Sequence, residues 1–465
     1  MNRPNLLLIV IDTLRADHLG CYGYARNTSP NIDALAQQGV VCENLFAPGI
    51  PTQPAFTTIF TGQHPITHQI VSHGGEKQLA PDAPWLPELL QKAGYTTCAA
   101  DNLAHIKPWF LRGFEFYVDP SFRVATRINV DCETLNARAL PWLKAHAHEP
   151  FFLFVHYWDP HTPYLPPVRL RDLFYDGDPF DPTNTSLQPL DHQPLGDLWR
   201  STWFKTLARD YVKVHQVHGA HGVHEPHEPM NLEITDAAYI VAMYDSAIRY
   251  VDEAIGQLLH ALEETGVADD TLVVVTADHG ESLTEHDIYF EHHGLYECTV
   301  RVPLIARWTN GGLTGGQRVQ PWLQQSDLAP TILNAVGAKV PAEMEGKNLL
   351  PHLRHVSRFT LHDVIIAEEC TWQAKWSIRK GNYKLIVARG PDLHNMPPRE
   401  LYDLENDPQE LINLYDEKRH VAEALEVELE AWIQQQLKRT GQTTDPLLAQ
   451  GITLGKRWRE QGGKL

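Results

Sequence analysis

NLLLIVID, residues 5–12, is an apolar run that ends abruptly on a carboxylate. Leu6 to Ile11 carry no polar side chain, as suits a strand in the middle of a sheet covered on both faces. The pattern recurs twice. PFFLFVHYWDPH (150–161) runs apolar into His156, Asp159 and His161, and DDTLVVVTADHG (269–280) runs into Asp278 and His279. Ligands of open α/β sheets gather outside the carboxyl ends of the strands. A single aspartate there is an ordinary helix cap. Three such ends pointing to one rim predict a site. A hard divalent cation takes carboxylate oxygens, and an adjacent imidazole pulls the preference toward zinc or manganese.

Helical patterns separate these runs. In SPNIDALAQQGV (28 residues in from the start, at 29–40), Ser29 or Asn31 can cap a helix whose apolar face holds Ile32, Leu35 and Ala36, with Gly39 as its stop. LPELLQKAGY (86–95) reads as a second helix followed by a strand at YTTCAA, and residues 237–262 as a long amphipathic helix. The alternation predicts an α/β fold, a large mixed sheet sandwiched by helices. WSIRKGNYKLIV (376–387) and ELYDLENDP (400–408) read as strands of a small antiparallel sheet, with residues 417–437 as an amphipathic helix upon it. The expected division is a catalytic domain over 1–370 and a small α+β subdomain over 371–465. Residues 168–230 break the rhythm with Pro, Asp and His, including five histidines from His215 to His227. They read as a surface insertion or lid, with a metal-binding tract as the alternative.

The chain of 465 residues is long enough for one large domain and one small one. With 43% apolar and 21% charged residues it has the composition of a soluble globular enzyme. A formal charge of −19 argues against nucleic acid or an anionic membrane as partner, since each needs a basic face. A small anionic substrate then needs a local cation. The 25 histidines matter because imidazole is the commonest side-chain metal ligand. No segment approaches the ~20 apolar residues of a membrane span. The first strand is too short for a signal-peptide core and lacks a small-residue cleavage site. The six cysteines are scattered without a CxxC pair and read as reduced. The expected compartment is the cytoplasm, and a homo-oligomer is left open.

NLLLIVIDTLRADHLGCYGY, TSPNIDALAQQGV, PTQPAFTTIFTGQHP, FVHYWDPHTPY, VVVTADHGES, HHGLYECTVRVPLI and SDLAPTILNAVG follow one another in this chain. In that order they resemble the sulfatases of the alkaline phosphatase superfamily. RKGNYKLIV and ELYDLENDPQELINL resemble the sulfatase C-terminal subdomain. The resemblance implies a metal-dependent hydrolase. It places Asp12, Asp278 and His279 around a divalent cation (zinc, manganese or calcium, one per site), with Thr52 alongside. Thr13 stands where many sulfatases have a second aspartate, and His279 where they often have asparagine. His161 matches a histidine that contacts the substrate anion or protonates the leaving group. The lysine that follows in sulfatases is missing, and the neighbouring EHHG hands its work to His292 or His293. His293 also matches a histidine of threonine-dependent phosphoethanolamine and phosphoglycerol transferases. Asn102 and His105 lie near the position of the sulfatase GKWHLG motif and are expected at the substrate. A second ion, held by Asp159 or His161 with His293, is what relatives with two metals would imply.

The departure that decides the chemistry is at the nucleophile. Sulfatases carry Cys-x-Pro-x-Arg, whose cysteine becomes formylglycine; this chain reads Thr52-Gln53-Pro54-Ala55-Phe56. The hydrate of formylglycine attacks sulfur with one hydroxyl and expels sulfate with the other. Threonine has one hydroxyl, so its ester must be cleaved by water at the central atom, which is ordinary for phosphothreonine and difficult for a sulfate ester. The expectation is hydrolysis of phosphate or phosphonate esters through a covalent phosphothreonine, with His161 and His293 as proton carriers. Two other readings stand beside it: a sulfatase acting without formylglycine, and an inactive anion-binding protein. The bland account of Thr52 is a cap for a helix beginning near Pro54, a position that would also attract an anion. Mass spectrometry of the peptide spanning Thr52 is expected to show unmodified threonine, with activity independent of any formylglycine-generating enzyme. An aldehyde mass at that position would overturn the argument.

Overall fold

The computed structural model describes residues 3–121, 130–208, 233–354, 360–391 and 393–460. Its strands are β1 (Asn5–Ile11), β2 (Val40–Phe46), β3 (Gly49–Ile50), β4 (Thr96–Ala100), β5 (Phe116–Val118), β6 (Phe151–Tyr157) and β7 (Thr271–Ala277). They continue with β8 (Arg301–Arg307), β9 (Gln317–Val319), β10 (Leu323–Gln324), β11 (Val364–Glu369), β12 (Lys375–Lys380), β13 (Tyr383–Ala388) and β14 (Arg399–Asp403). The large sheet has nine strands in the order β10-β2-β8-β7-β1-β6-β4-β5, with β9 beside β2. β8 runs against both of its neighbours, so the sheet is mixed as expected.

β1 lies between β6 and β7, parallel to both. All three are buried on both faces, which is why their sequences do not alternate. Ile11 is opposite Tyr157 on one side and Ala277 on the other. This register releases Asp12, Trp158 and Asp278 from the sheet at one height. The helices Pro30–Gln38 and Cys132–His146 pack against the long helix Ala237–Glu264 on one face of the sheet.

One helix start differs from the reading of its local sequence. Ser29 occupies the N-cap of Pro30–Gln38 but its side chain makes no capping bond. The carboxylate of Asp252, from the long helix, instead accepts from the backbone of Asn31 at 3.0 Å and Ile32 at 2.8 Å. A charged acceptor brought in by packing has displaced the local hydroxyl.

The small sheet has five strands in the order β14-β13-β12-β11-β3. It starts at Val364, before the boundary expected at 370, and takes its fifth strand from Gly49–Ile50 of the large domain. The amphipathic helix Arg419–Thr440 covers it with Ala422, Leu425, Leu429, Ile433 and Leu437, the i, i+3/i+4 stripe visible in the sequence. The described part of the 168–230 insertion is not merely surface. Leu187, Leu190, Leu195, Trp199 and Phe204 are buried in the main core. The tract His215–His227 lies outside the described residues. Among the described residues no helix is long and apolar enough to cross a membrane.

Gly280 sets how closely the Asp278–His279 turn approaches the segment before β8. Its N–H donates to the Thr299 carbonyl at 2.8 Å, and a Cβ there would lie 2.0 Å from the Cys298 carbonyl oxygen. Gly280→Ala is therefore expected to destabilise the protein by about 1–3 kcal/mol in urea denaturation, as overpacking against a fixed backbone does. Gly390, with nothing within 4 Å of its would-be Cβ, is the control. Its replacement by alanine is expected to stay within about 0.5 kcal/mol of wild type. Equal effects at the two positions would refute the close approach.

Candidate active site

Asp12, Asp278 and His279 converge at the rim, with one ligand atom from each within 4.8 Å of the others. All three are fully buried. Neither oxygen of Asp12 nor Oδ2 of Asp278 has a hydrogen-bond partner. Buried carboxylate oxygens are rarely left so. The other oxygen of Asp278 is held by the backbone N–H groups of Thr13 at 3.2 Å and His279 at 2.8 Å. Thr13 turns the chain at φ 55°, an unusual conformation for a β-branched residue. Burial and the charge of Asp12 push the Asp278 carboxyl well above the usual carboxylate range. Burial pushes Asp12 the same way, but the hydrogen bond of His156 and the charge of His161 outweigh it and hold Asp12 low. Two crowded buried carboxyls with three unpartnered oxygens fit a divalent cation.

His279 is prepared for that role. Its Nδ1 is 2.9 Å from the Gly280 carbonyl, which can only accept, so Nδ1 carries the proton and Nε2 the lone pair. Burial drives its pKa down to about 3, keeping it neutral. The Nε2 atom is 3.2 Å from Asp278 Oδ2, 3.8 Å from Asp12 Oδ1 and 3.3 Å from Thr52 Oγ1.

Thr52 opens the helix Thr52–Thr61, which starts there and not near Pro54. Pro51 is at the N-cap and no side chain caps the helix, so the Thr52 hydroxyl is not a structural cap. It faces His279 from a helix N-terminus, whose free N–H groups favour an anion.

Above Thr52 is a cavity of about 500 Å³. His161, His292, Asn102 and His105 all line it. The Nδ1 of His161 is 2.8 Å from the Thr162 carbonyl, which leaves Nε2 for proton exchange. The His292 ring stacks on that of His279 at 4.9 Å and lies 5.0 Å from His161. Asn102 accepts from Trp158 Nε1 at 2.5 Å, and His105 pairs with Asp119 at 2.6 Å. His293, expected at the leaving oxygen, is placed differently. It is fully buried, does not line the cavity, and its Nε2 is hydrogen-bonded to His394. Gly294, directly after it, turns the chain at φ 90°. Asp159, considered for a second ion, accepts from the Cys132 N–H at 3.0 Å at the start of the helix Cys132–His146.

Several residues at the site were given no role by the sequence reading, although His156 was marked there as part of a polar strand end. His73 lines the cavity from the loop SHGG, and burial lowers its pKa to about 4. His156 lies between Asp12, 3.4 Å from Nε2, and Asp101, 3.2 Å from Nδ1. Burial opposes its charge, but the two carboxylates prevail and lift it to about 9. Glu281 accepts from the Tyr164 hydroxyl at 2.8 Å, and its second oxygen is 3.7 Å from His292 Nδ1. For His73 the HG dipeptide at 73–74, a histidine beside a loop glycine, could have drawn attention, and for His156 its place at the end of an apolar run did.

The sulfatase family profile matches residues 4–338, and a profile described as N-sulphoglucosamine sulphohydrolase, C-terminal, matches 284–439. The chain is 24% identical to an N-acetylglucosamine-6-O-sulfatase of Bacteroides thetaiotaomicron over 91% of its length and 85% of the relative's. Among solved structures, it superposes on one in complex with its substrate D-glucosamine-2-N,6-O-disulfate with a TM-score of 0.72, at 21% identity, covering 95% of this chain and 98% of that one. It also superposes on a phosphonate monoester hydrolase of Agrobacterium radiobacter with a TM-score of 0.68, at 22% identity, covering 94% and 96%.

The unpartnered oxygens of Asp12 and Asp278 make metal content the direct readout of this cluster. Asp278→Asn is expected to retain less than a tenth of the wild-type metal by elemental analysis, with unchanged far-ultraviolet circular dichroism. Stoichiometric metal in the purified variant would show that the cluster is not the ion's site.

Proposed function

Because the chain belongs to the sulfatase family of metal-dependent ester hydrolases, we propose that it hydrolyses phosphate or phosphonate esters with Thr52 as nucleophile. The observation that carries the reading is the Thr52 hydroxyl at a helix N-terminus, 3.3 Å from His279, where the family's formylglycine cysteine is replaced. Asp12, Asp278 and His279 would hold the cation, one per site, with zinc or manganese suited to the mixed oxygen and nitrogen set and calcium to the carboxylates. When bound it supplies positive charge at the Thr52 hydroxyl and at a phosphoryl oxygen.

The chain's own residues do the rest. Thr52 Oγ1, its hydroxyl proton given up to water beforehand, attacks phosphorus as the alkoxide, and the bond from phosphorus to the leaving oxygen breaks with its electron pair going to that oxygen. His161 gives that oxygen a proton from Nε2 while the Thr162 carbonyl fixes its ring. In the second half a water oxygen attacks phosphorus, His161 takes one of its protons, and the bond to Thr52 Oγ1 breaks, returning Thr52 as the alkoxide and His161 as the proton donor. His292 and His73 line the same space and bound the anion. His293 acts behind them, through its bond to His394, by holding the loop that presents His292. Asn102 and His105 contact the leaving group from the opposite wall.

Charge favours a monoanionic substrate. Two carboxylates balance a divalent cation, His279 is neutral, and among the described residues no arginine or lysine lines the cavity. A phosphodiester or phosphonate monoester therefore fits better than a phosphate monoester dianion. The same charge would suit a sulfate ester, which the relatives' names favour, so the single hydroxyl of Thr52 is what separates the two. The complete set Asp12, Thr52, Asp278 and His279 speaks against an inactive anion-binding protein. A cytoplasmic location is supported by the six unpaired cysteines. The acidic charge supports a small-molecule partner in place of nucleic acid or membrane.

The test turns on the second half-reaction. A sulfated Thr52 has no internal elimination available and should stall, while a phosphothreonine stays exposed to the groups that formed it. An aryl phosphodiester or phosphonate ester is expected to exceed its aryl sulfate counterpart in kcat/KM by at least ~100-fold, about 2.7 kcal/mol of transition-state preference. Sulfate should give no more than a stoichiometric burst. Sustained sulfate turnover at an equal rate would defeat the proposal.

A further inference from the structure

Beside its histidines the cavity has a wall of hydrocarbon and indole. Four of the chain's 12 tryptophans line it, namely Trp158, Trp199, Trp203 and Trp372. Leu195 and Leu198 join them from the same insertion that supplies Trp199 and Trp203. The wall is held from three directions. Trp158 leaves the end of β6 and is pinned through Nε1 to Asn102. Trp372 follows β11, and its N–H donates to Glu369 at 3.1 Å, while the other oxygen of Glu369 accepts from Gly294 at 3.0 Å. One buried carboxyl thus ties the wall to the loop of His292. Leu195 and Trp199 are buried in the main core, so this part of the insertion is a fixed surface.

From this composition we infer that the enzyme selects esters whose leaving group is a flat, uncharged apolar ring system, and that the 195–203 segment is the selecting element. The inference rests on the ester-hydrolase reading of the same site. A sugar leaving group presents several hydroxyls, and each one buried against indole without a partner costs about 1–3 kcal/mol. A polysulfated sugar would in addition require cations, and among the described residues no arginine or lysine lines the cavity. Aromatic rings instead stack on tryptophan and gain from leaving water. The cavity of about 500 Å³ is of the size that encloses a small organic group.

The test compares methylphosphonate monoesters of 2-naphthol and of methyl glucoside on the metal-loaded full chain, together with Trp203→Ala and Trp199→Phe. The wild type is expected to bind the naphthyl ester with a KM at least ten times lower than the glucoside ester. Trp203→Ala is expected to shrink that KM ratio at least tenfold, and Trp199→Phe, which keeps an aromatic ring in the core, to preserve most of it. If Trp203→Ala fails to fold, Trp203→Gln, with a polar surface of smaller size, carries the same expectation. Comparable KM values in the wild type, or a ratio unchanged by both Trp203 variants, overturn the inference. If neither ester turns over, the phosphorus reading has failed and the wall is tested by binding alone. Saturable quenching of tryptophan fluorescence by the naphthyl ester, and none by the glucoside ester, then supports it; no saturable quenching overturns it.

Discussion

The repulsion between two buried carboxyls organises this protein. Asp12 and Asp278 leave adjacent parallel strands at the same height, fully buried, with three of their four oxygens lacking a hydrogen bond. Such an arrangement is costly in a low-dielectric interior unless a cation joins it. The register of β1 against β7 sets the spacing, so the site is as rigid as the centre of the sheet. Everything nearby either supports the two carboxyls or uses the charge that they would recruit. His156 stands beneath Asp12 with Asp101 behind it, Gln325 holds the Asp278 carbonyl at 2.6 Å, and Gly280 lets the following turn close against Cys298.

Neutral histidines complete the design. Burial keeps His279 and His73 uncharged, so the cavity adds little positive charge beyond what an ion would bring. That limits the charge of an anion it can stabilise, and it makes the orientation of each imidazole more important than its protonation. The two backbone carbonyls of Gly280 and Thr162 decide which nitrogen of His279 and His161 faces the reacting groups. Preorganised dipoles of this kind need no rearrangement when charge develops.

The two sheets are joined where the chemistry happens. β3 immediately precedes Pro51 and Thr52 and pairs with β11, and β11 leads directly to Thr371 and Trp372 on the cavity wall. Thr52, the proposed nucleophile, and part of the cavity wall are thereby referenced to the same pair of strands. The small domain is then part of the site's frame, and a division of the chain at residue 370 would cut through it. Glu369, buried and bonded to both Trp372 and Gly294, carries the coupling from the wall to the histidine loop.

What the sequence determined by itself was everything that depends on neighbours along the chain. Apolar runs without alternation meant central strands, and acids at their ends meant a rim site; Asp12, Asp278 and His279 were legible for that reason. Thr52 was legible because a single residue stands in a motif of known spacing, and its hydroxyl count limits the chemistry. The tertiary structure decided what depends on groups far apart in sequence. Asp252 caps a helix that Ser29 appeared to own, because a helix 220 residues away packs against it. His292 lines the cavity and His293 does not, because His293 is buried against His394, a residue 101 positions away in the chain. His73, His156 and Glu281 carry no periodic signal, since a loop or strand-end side chain acquires its partners only when other strands arrive. The insertion looked polar by composition, yet Leu195, Trp199 and Trp203 form a wall, because a few large apolar side chains outweigh many polar ones once they reach a surface that can bury them.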